Sequence, residues 1–256
     1  MKKKVLVSGC NGNMGKLVCS AINFTEDMYV SAGIDIVSTT TSFPVYHGEC
    51  YNILNNLKNQ QNLPDIIIDF STPEVTRKLA FYAAHFGIPI VIATTGLTSN
   101  DIYSLKNEYS SSIPVFQSSN MSFEVALFKN IVQQAAKQLA NTDIEISETH
   151  HNRKKDAPSG TAKMIANSIN KALGNTKTIV YGREGKREKN EIGLSSVRGG
   201  NITGEHTVHF FSENETLEIK HIAYSREVFA DGALHAARFL LTKEPGFYNM
   251  DDLVST

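Results

Sequence analysis

Between the short apolar run Val5-Leu6-Val7 and an amphipathic segment stand Gly9-Cys10-Asn11-Gly12-Asn13-Met14-Gly15, three glycines spaced G-x-x-G-x-x-G. Glycine lets a chain turn sharply, approach another backbone closely and seat a helix tightly against a strand. The segment therefore reads as a strand, a tight turn and a helix over 15–23. A helix opening at such a turn aims amides and partial positive charge outward, which suits phosphate. Asp35 ends the next strand, 29–35, twenty residues after Gly15. An acidic side chain there accepts hydrogen bonds from ribose hydroxyls. A glycine turn alone is a common loop device; turn and acid together point to a dinucleotide.

The pattern that follows supports this. The run DIIIDF at 65–70 is almost continuously β-branched, as in a strand covered on both faces. Pro73 opens a helix to 86, where its missing amide costs least. A strand at 88–93, a helix at 99–109 and a strand at 113–116 complete the alternation of a parallel, doubly wound sheet of Rossmann type. Ligands sit at the carboxyl ends of such strands. Ala93-Thr94-Thr95 and Ser118-Ser119-Asn120-Met121 are thus expected to join Gly9–Gly15 and Asp35 in the cofactor site. Asp35 repels a ribose phosphate, and no arginine follows it in Ile36-Val37-Ser38; Lys16 compensates in part. NADH is expected to be favoured over NADPH, or both to be used.

After residue 122 the periodicity changes. A long helix over 123–140 leads to an alternating strand at 143–149, a helix at 159–173, and strands at 192–197, 206–211 and 217–222. Their close spacing suggests a mixed or antiparallel sheet. A last helix, 228–241, is expected to return to the first domain. The reading is a dinucleotide-binding domain over 1–121, completed by 226–256, and an α+β domain over 122–225 for substrate binding and oligomerisation. The charge-dense segment 183–191 reads as a solvated loop.

The densest chemistry is Glu148-Thr149-His150-His151-Asn152-Arg153-Lys154-Lys155-Asp156-Ala157-Pro158-Ser159-Gly160-Thr161-Ala162. Ser159, Gly160 and Thr161 offer hydroxyls and amides at a helix N-terminus, an arrangement that binds carboxylate. Lys154 and its neighbours add charge, so the pocket suits a substrate with one or two carboxylates. Histidine and lysine also supply the proton that a hydride reduction needs. Adjacent histidines on a strand point to opposite faces and rarely share one ion, so no metal is expected.

Composition narrows the class. A net charge of −1 gives no overall field for nucleic acid or anionic membrane. No run approaches a membrane span, and the three cysteines lack metal-site spacing. Free thiols in a cytoplasmic protein are expected.

The stretch from His150 to Ala162 resembles the H-H-x-x-K-x-D-A-P-S-G-T-A signature of the 4-hydroxy-tetrahydrodipicolinate (dihydrodipicolinate) reductase family, of the diaminopimelate route to lysine. The resemblance extends to Gly9–Gly15, Asp69-Phe70-Ser71, Thr94-Thr95-Gly96, Asn120-Met121-Ser122, Arg198-Gly199-Gly200 and Gly204-Glu205-His206. It implies a Rossmann domain, a mixed-sheet domain, a homotetramer, and NADH- or NADPH-dependent reduction of a cyclic unsaturated dicarboxylate. Carried over, His150 and Lys154 match the proton-handling positions, and His151, Ser159, Gly160 and Thr161 the substrate-carboxylate contacts. Which of His150 and Lys154 delivers the proton stays open. Asn13, Ala93 and Phe123-Glu124 depart from the family's usual residues, and Glu124 is the departure most apt to alter activity. A sibling reductase for another oxo- or imino-acid, or a dinucleotide-sensing regulator, would share the glycine turn. All cysteines precede residue 51, against an aldehyde dehydrogenase, and a sensor has no use for the His150–Thr161 set.

Overall fold

The computed structural model describes residues 1–36 and 41–255. The chain divides into two compact units, one of Met1–Phe123 with Arg226–Thr256, the other of Glu124–Ser225.

In the first unit, β1 (Lys3–Ser8) runs into α1 (Asn13–Asn23), two residues earlier than the sequence suggested because Gly12 already caps the helix. Then follow β2 (Met28–Ile34), β3 (Val45–Tyr46), α2 (Cys50–Asn59), β4 (Ile66–Asp69), α3 (Pro73–Phe86), β5 (Ile90–Ile92), α4 (Ser99–Asn107) and β6 (Pro114–Gln117). The second unit supplies α5 (Phe123–Gln138, its first residue belonging to the first unit), β7 (Asp143–His150), α6 (Gly160–Ala172), β8 (Thr178–Tyr181), β9 (Glu191–Arg198), β10 (Gly204–Phe211) and β11 (Thr216–Ala223). The chain then adds α7 (Glu227–Leu240), β12 (Gly246–Tyr248) and α8 (Met250–Val254) to the first unit.

The first sheet has the order β12-β6-β5-β4-β1-β2-β3, with every pair parallel. Its central strands Ile66–Asp69 and Ile90–Ile92 are buried along their whole length. Helix stops and starts follow the local chemistry. Pro73 stands in the first turn of α3, and Gly87 ends it at φ 70°; Thr98 and Asp101 cap α4 reciprocally. Helix α7 packs on α1 through small residues, and Arg238 ion-pairs with Asp27 at 2.7 Å. The elements β3, α2, β8, β12 and α8 were not expected from the sequence; the strands and α8 are too short to carry a period, whereas α2 carries one in Cys50, Ile53, Leu54 and Leu57.

The second sheet has the order β11-β10-β7-β9-β8. Strand β7 pairs antiparallel with β10 and parallel with β9, so the sheet is mixed. Its core joins Ile144, Ile146, Ile192, Leu194, Val208 and Phe210 to Ala162, Ile165 and Ile169 of α6. Segment 183–191 is irregular, yet it is not simply solvated. Arg183 reaches Glu145 at 2.6 Å and pairs with Glu191, while Arg187 reaches Asp143 at 2.7 Å. Gly193 makes room for this, because a Cβ there would stand 1.8 Å from Glu145 Oε2.

Gly232 of α7 fits against the first unit's own backbone: a Cβ would stand 1.6 Å from the Met121 carbonyl oxygen. Gly232→Ala should therefore push α7 outward, costing about 3 kcal/mol and lowering the midpoint of thermal unfolding. An unchanged midpoint would show that the helix can slide.

Candidate functional site

In the first unit every sequence-predicted cofactor residue lies at the carboxyl edge of the sheet. The glycine turn follows β1, Asp35 follows β2, Ala93-Thr94-Thr95 follow β5, and Ser118–Met121 follow β6. Two glycines are demanded by packing. Gly9 sits at φ +75° with its would-be Cβ 2.6 Å from the Phe70 carbonyl oxygen. A Cβ on Gly15 would stand 2.0 Å from the Gly9 oxygen. Gly12 caps α1 without a side-chain bond, and no acidic residue occupies the first turn. That combination leaves the helix end suited to an anionic group. Asp35 Oδ2 accepts the Asn11 amide hydrogen at 2.8 Å, joining acid and turn in one construction. Cys10 is buried within the turn, and burial, then the charge of Asp35, pushes its thiol up to about 11, so it stays a thiol. Asn13 and Met14 form the first turn of α1. The residues Val37 and Ser38, weighed for cofactor choice, lie outside the described residues.

The centre of this edge is Asp69, which is fully buried at the end of β4. It accepts hydrogen bonds from Ser71 Oγ and Thr76 Oγ1, both at 2.5 Å, and from Thr94 Oγ1 at 3.1 Å. Burial pushes its carboxyl up against the pull of these hydroxyls. Thr94 is thus tied inward, while Thr95 and Ser119 are exposed. Ser118 donates to the Asn120 carbonyl at 2.6 Å, and Asn120 Oδ1 accepts the Ser122 amide, so that loop shapes itself. The chemistry of these residues fits a dinucleotide, since a helix end without an acid suits phosphate and a carboxylate suits ribose hydroxyls.

The second unit gathers the Glu148–Ala162 stretch at the end of β7. Alternation along Asp143–His150 puts Ile144, Ile146, Glu148 and His150 on one buried face. Two core positions are therefore polar. Glu148 is 1% exposed and makes a bidentate pair with Arg198 of β9, at 2.9 Å from Nη1 to Oε2 and 2.7 Å from Nη2 to Oε1. His150 Nδ1 lies 2.5 Å from Glu148 Oε2, and the Ser159 amide donates to Oε1 at 3.1 Å. Burial opposes ionisation of Glu148, but the hydrogen bonds from His150, Arg198, Ser196 and the Ser159 amide outweigh it. Its carboxyl lies well below the usual carboxylate range.

Ser159 caps α6, accepting the Ala162 amide at 3.1 Å, and its Oγ lies 3.2 Å from His206 Nε2. The His150 and His206 rings meet edge to face at 5.3 Å. Gly160 and Thr161 open the helix, and nothing stands within 4 Å of a would-be Gly160 Cβ. Lys154, in the loop, pairs with Asp156 at 2.8 Å, and this pair holds Asp156 below its usual value. His151 donates its backbone amide to the Ile202 carbonyl at 2.8 Å. Among the described residues no group of three His, Cys, Asp or Glu could hold a metal ion, and no helix is long and apolar enough to cross a membrane. Glu124 is exposed in the first turn of α5, where a carboxylate complements the helix dipole, and its charge faces His221.

The pattern of the dihydrodipicolinate reductase N-terminus matches residues 3–121, and that of the C-terminus matches residues 124–254. The chain belongs to the dihydrodipicolinate reductase family. It is 46% identical to the 4-hydroxy-tetrahydrodipicolinate reductase of Caldanaerobacter subterraneus subsp. tengcongensis over 99% of both chains. It is 40% identical to that of Clostridium novyi, covering 99% of this chain and 98% of the relative. Among solved structures, a dipicolinate-bound dihydrodipicolinate reductase from Paenisporosarcina sp. TG-14 shares the fold. Its TM-score is 0.82 at 22% identity, with 98% of this chain and 99% of that chain covered. The chain is an oxidoreductase with a pyridine-nucleotide-binding fold.

Sequence reasoning named His150, Lys154 and Ser159 but assigned no role to Glu148, Arg198, His206 or Asp69. The signal for Glu148 was its place in the buried parity of D-I-E-I-S-E-T-H. Arg198 and His206 come from distant strands that only the sheet register brings opposite His150 and Glu148.

Burial, then the neighbouring His150, lowers His206 to about 3 against partial support from Glu148; His221 and Lys154 act in the same lowering direction. Unfolded, His206 takes up its proton near 6.5, so between 6.5 and about 3 the unfolded chain binds more protons. Stability is therefore full above that window and falls as the pH drops through it. Glu148 adds a loss of the same sign only below 4.5. Burial also lowers His221, which adds a loss of the same sign in this window. Unfolding midpoints measured from 6.5 to 4.5 should decline in the wild type and decline less steeply in His206→Asn. Equal slopes would assign the decline to another group.

Proposed function

We propose that this chain reduces 4-hydroxy-tetrahydrodipicolinate to tetrahydrodipicolinate with a nicotinamide dinucleotide, as a step toward lysine through diaminopimelate. The observation that carries this reading is the buried Glu148–Arg198 pair holding His150 beside the Ser159 turn, within the H-H-N-R-K-K-D-A-P-S-G-T-A segment. Family membership and two full-length relatives of that name point the same way.

The reaction replaces a ring C–OH by C–H, so one hydride and one proton enter and water leaves. The nicotinamide supplies the hydride. This chain's residues do the rest. The N-terminus of α6 formed by Ser159, Gly160 and Thr161, with His151, binds substrate carboxylate, while the Ser159 amide itself stays on Glu148. Lys154 exchanges Asp156 for a substrate carboxylate or hands over a proton, and His150 is the other proton-handling group. In the first unit, Gly9–Gly15 receive the pyrophosphate, Asp35 the ribose, and the 93–95 and 118–121 loops border the nicotinamide. Asp35 favours NADH, or both cofactors, by repelling a ribose phosphate. The proposal includes a cytoplasmic homotetramer, supported by the family and by the exposed apolar side chains Tyr181, Val197, Phe211 and Leu217 on the second sheet.

The decisive assay generates the substrate in place from pyruvate and aspartate semialdehyde and follows reduced-cofactor absorbance with NADH and NADPH in parallel. Oxidation dependent on the generated substrate is expected. In the same assay Lys154→Ala should lower kcat/KM by about 100-fold or more while NADH affinity holds; collapse of NADH binding would overturn the division of roles. Asp35→Ala should shift the NADH-to-NADPH ratio of kcat/KM toward NADPH by about tenfold. An unchanged ratio would show that Asp35 does not meet the ribose.

A further inference from the structure

Every partner around the Glu148 carboxylate that can be identified without ambiguity is a donor. Arg198 Nη1 and Nη2 donate to Oε2 and Oε1, and the Ser159 amide donates to Oε1. A guanidinium and a backbone amide cannot reverse their roles, and an ionised carboxylate only accepts. His150 Nδ1 lies 2.5 Å from Oε2, and it must therefore carry a hydrogen. The transferable proton of His150 is then the one on Nε2. On that side stands Gly204, whose would-be Cβ lies 3.1 Å from Nε2; any other residue there would crowd the nitrogen. The same carboxylate ties two further parts together. Arg198 Nη2 also donates to the Asp156 carbonyl at 2.7 Å, and Ser159 is held through its amide.

We propose that Glu148 is a positioning residue for the reduction: it fixes His150 in the Nδ1–H form, makes Nε2 the proton-carrying atom, and holds the Ser159 turn in register with it. This rests on the function proposed above. The carboxylate stays an acceptor throughout, so no proton passes to Glu148; the proton leaves His150 Nε2 for the substrate and is replaced there from solvent. The arrangement answers the geometric need that a proton donor and a carboxylate anchor keep one fixed separation as the ring binds.

The test reads the tautomer directly. Long-range proton–nitrogen correlations of the full chain, 15N-labelled at histidine, report which ring nitrogen of neutral His150 carries the proton, with His150 assigned by its loss in His150→Asn. The expected result is a protonated Nδ1 and a bare Nε2. A bare Nδ1 with a protonated Nε2 would overturn the proposal. Glu148→Gln puts a donating amide where one oxygen accepted, and of the surrounding partners only the His150 imidazole and the Ser196 hydroxyl can turn to accept it. That variant should move His150 toward the Nε2–H form and lower kcat by about 100-fold or more, with NADH affinity unchanged. An unchanged tautomer with unchanged kcat would also overturn it. Because the tautomer is read without substrate, a wrong assignment of His150 and a wrong assignment of the reaction give separate results.

Discussion

Burying a carboxylate without partners is among the most unfavourable things a fold can do, and the second unit is organised around having done it at Glu148. The side chain occupies a position that β7 would otherwise fill with isoleucine. The penalty is met by a bidentate guanidinium, a backbone amide and an imidazole, each contributed by a different segment. Those partners come from β9, from the cap of α6 and from β7 itself. The need to satisfy one charge thereby fixes the mutual arrangement of strand end, helix start and histidine. Removing one partner would leave the others disordered around an unpaired ion, which is why such a network behaves as a unit.

The first unit uses a related device with the opposite electrostatic outcome. Asp69 is as deeply buried, also at the carboxyl end of a strand, but its partners are hydroxyls and an amide, none carrying a full charge. Glu148 is held ionised by a cation; Asp69, without one, is pushed toward its neutral form. Both gather flanking loops. Asp69 ties Ser71 and Thr76 at the start of α3 to Thr94 beyond β5, and so fixes the floor of the edge where the glycine turn lies.

Much of this was legible in the residues. The parallel sheet followed from DIIIDF and the strand–helix alternation, and the glycine turn and Asp35 could be placed after the first and second strands, at the carboxyl edge of that sheet. The HHNRKKDAPSGTA stretch marked the strand end and helix start that meet beside Glu148. What escaped had physical causes. Strands of two or three residues, such as Val45–Tyr46 and Gly246–Tyr248, are defined by their sheet partners and carry no period of their own. Arg198 and His206 act through register, which a one-dimensional pattern does not encode. The segment 183–191 has the composition of a solvated loop; only the acids of β7, forty residues earlier, show that its arginines are anchored.

The discontinuity of the first unit bears on how the protein comes into being. The sheet edge at β6 is completed by Gly246–Tyr248, and α1 is covered by Glu227–Leu240, while the second unit is one unbroken segment between them. During synthesis the second unit has all its strands before the first has its last. The earliest-made half of the chain must therefore wait, with the β6 edge unpaired, until the final residues emerge. In a growing polypeptide the order of translation and the order of completion run in opposite directions, and until β12 is made the β6 edge is open to pairing with another strand.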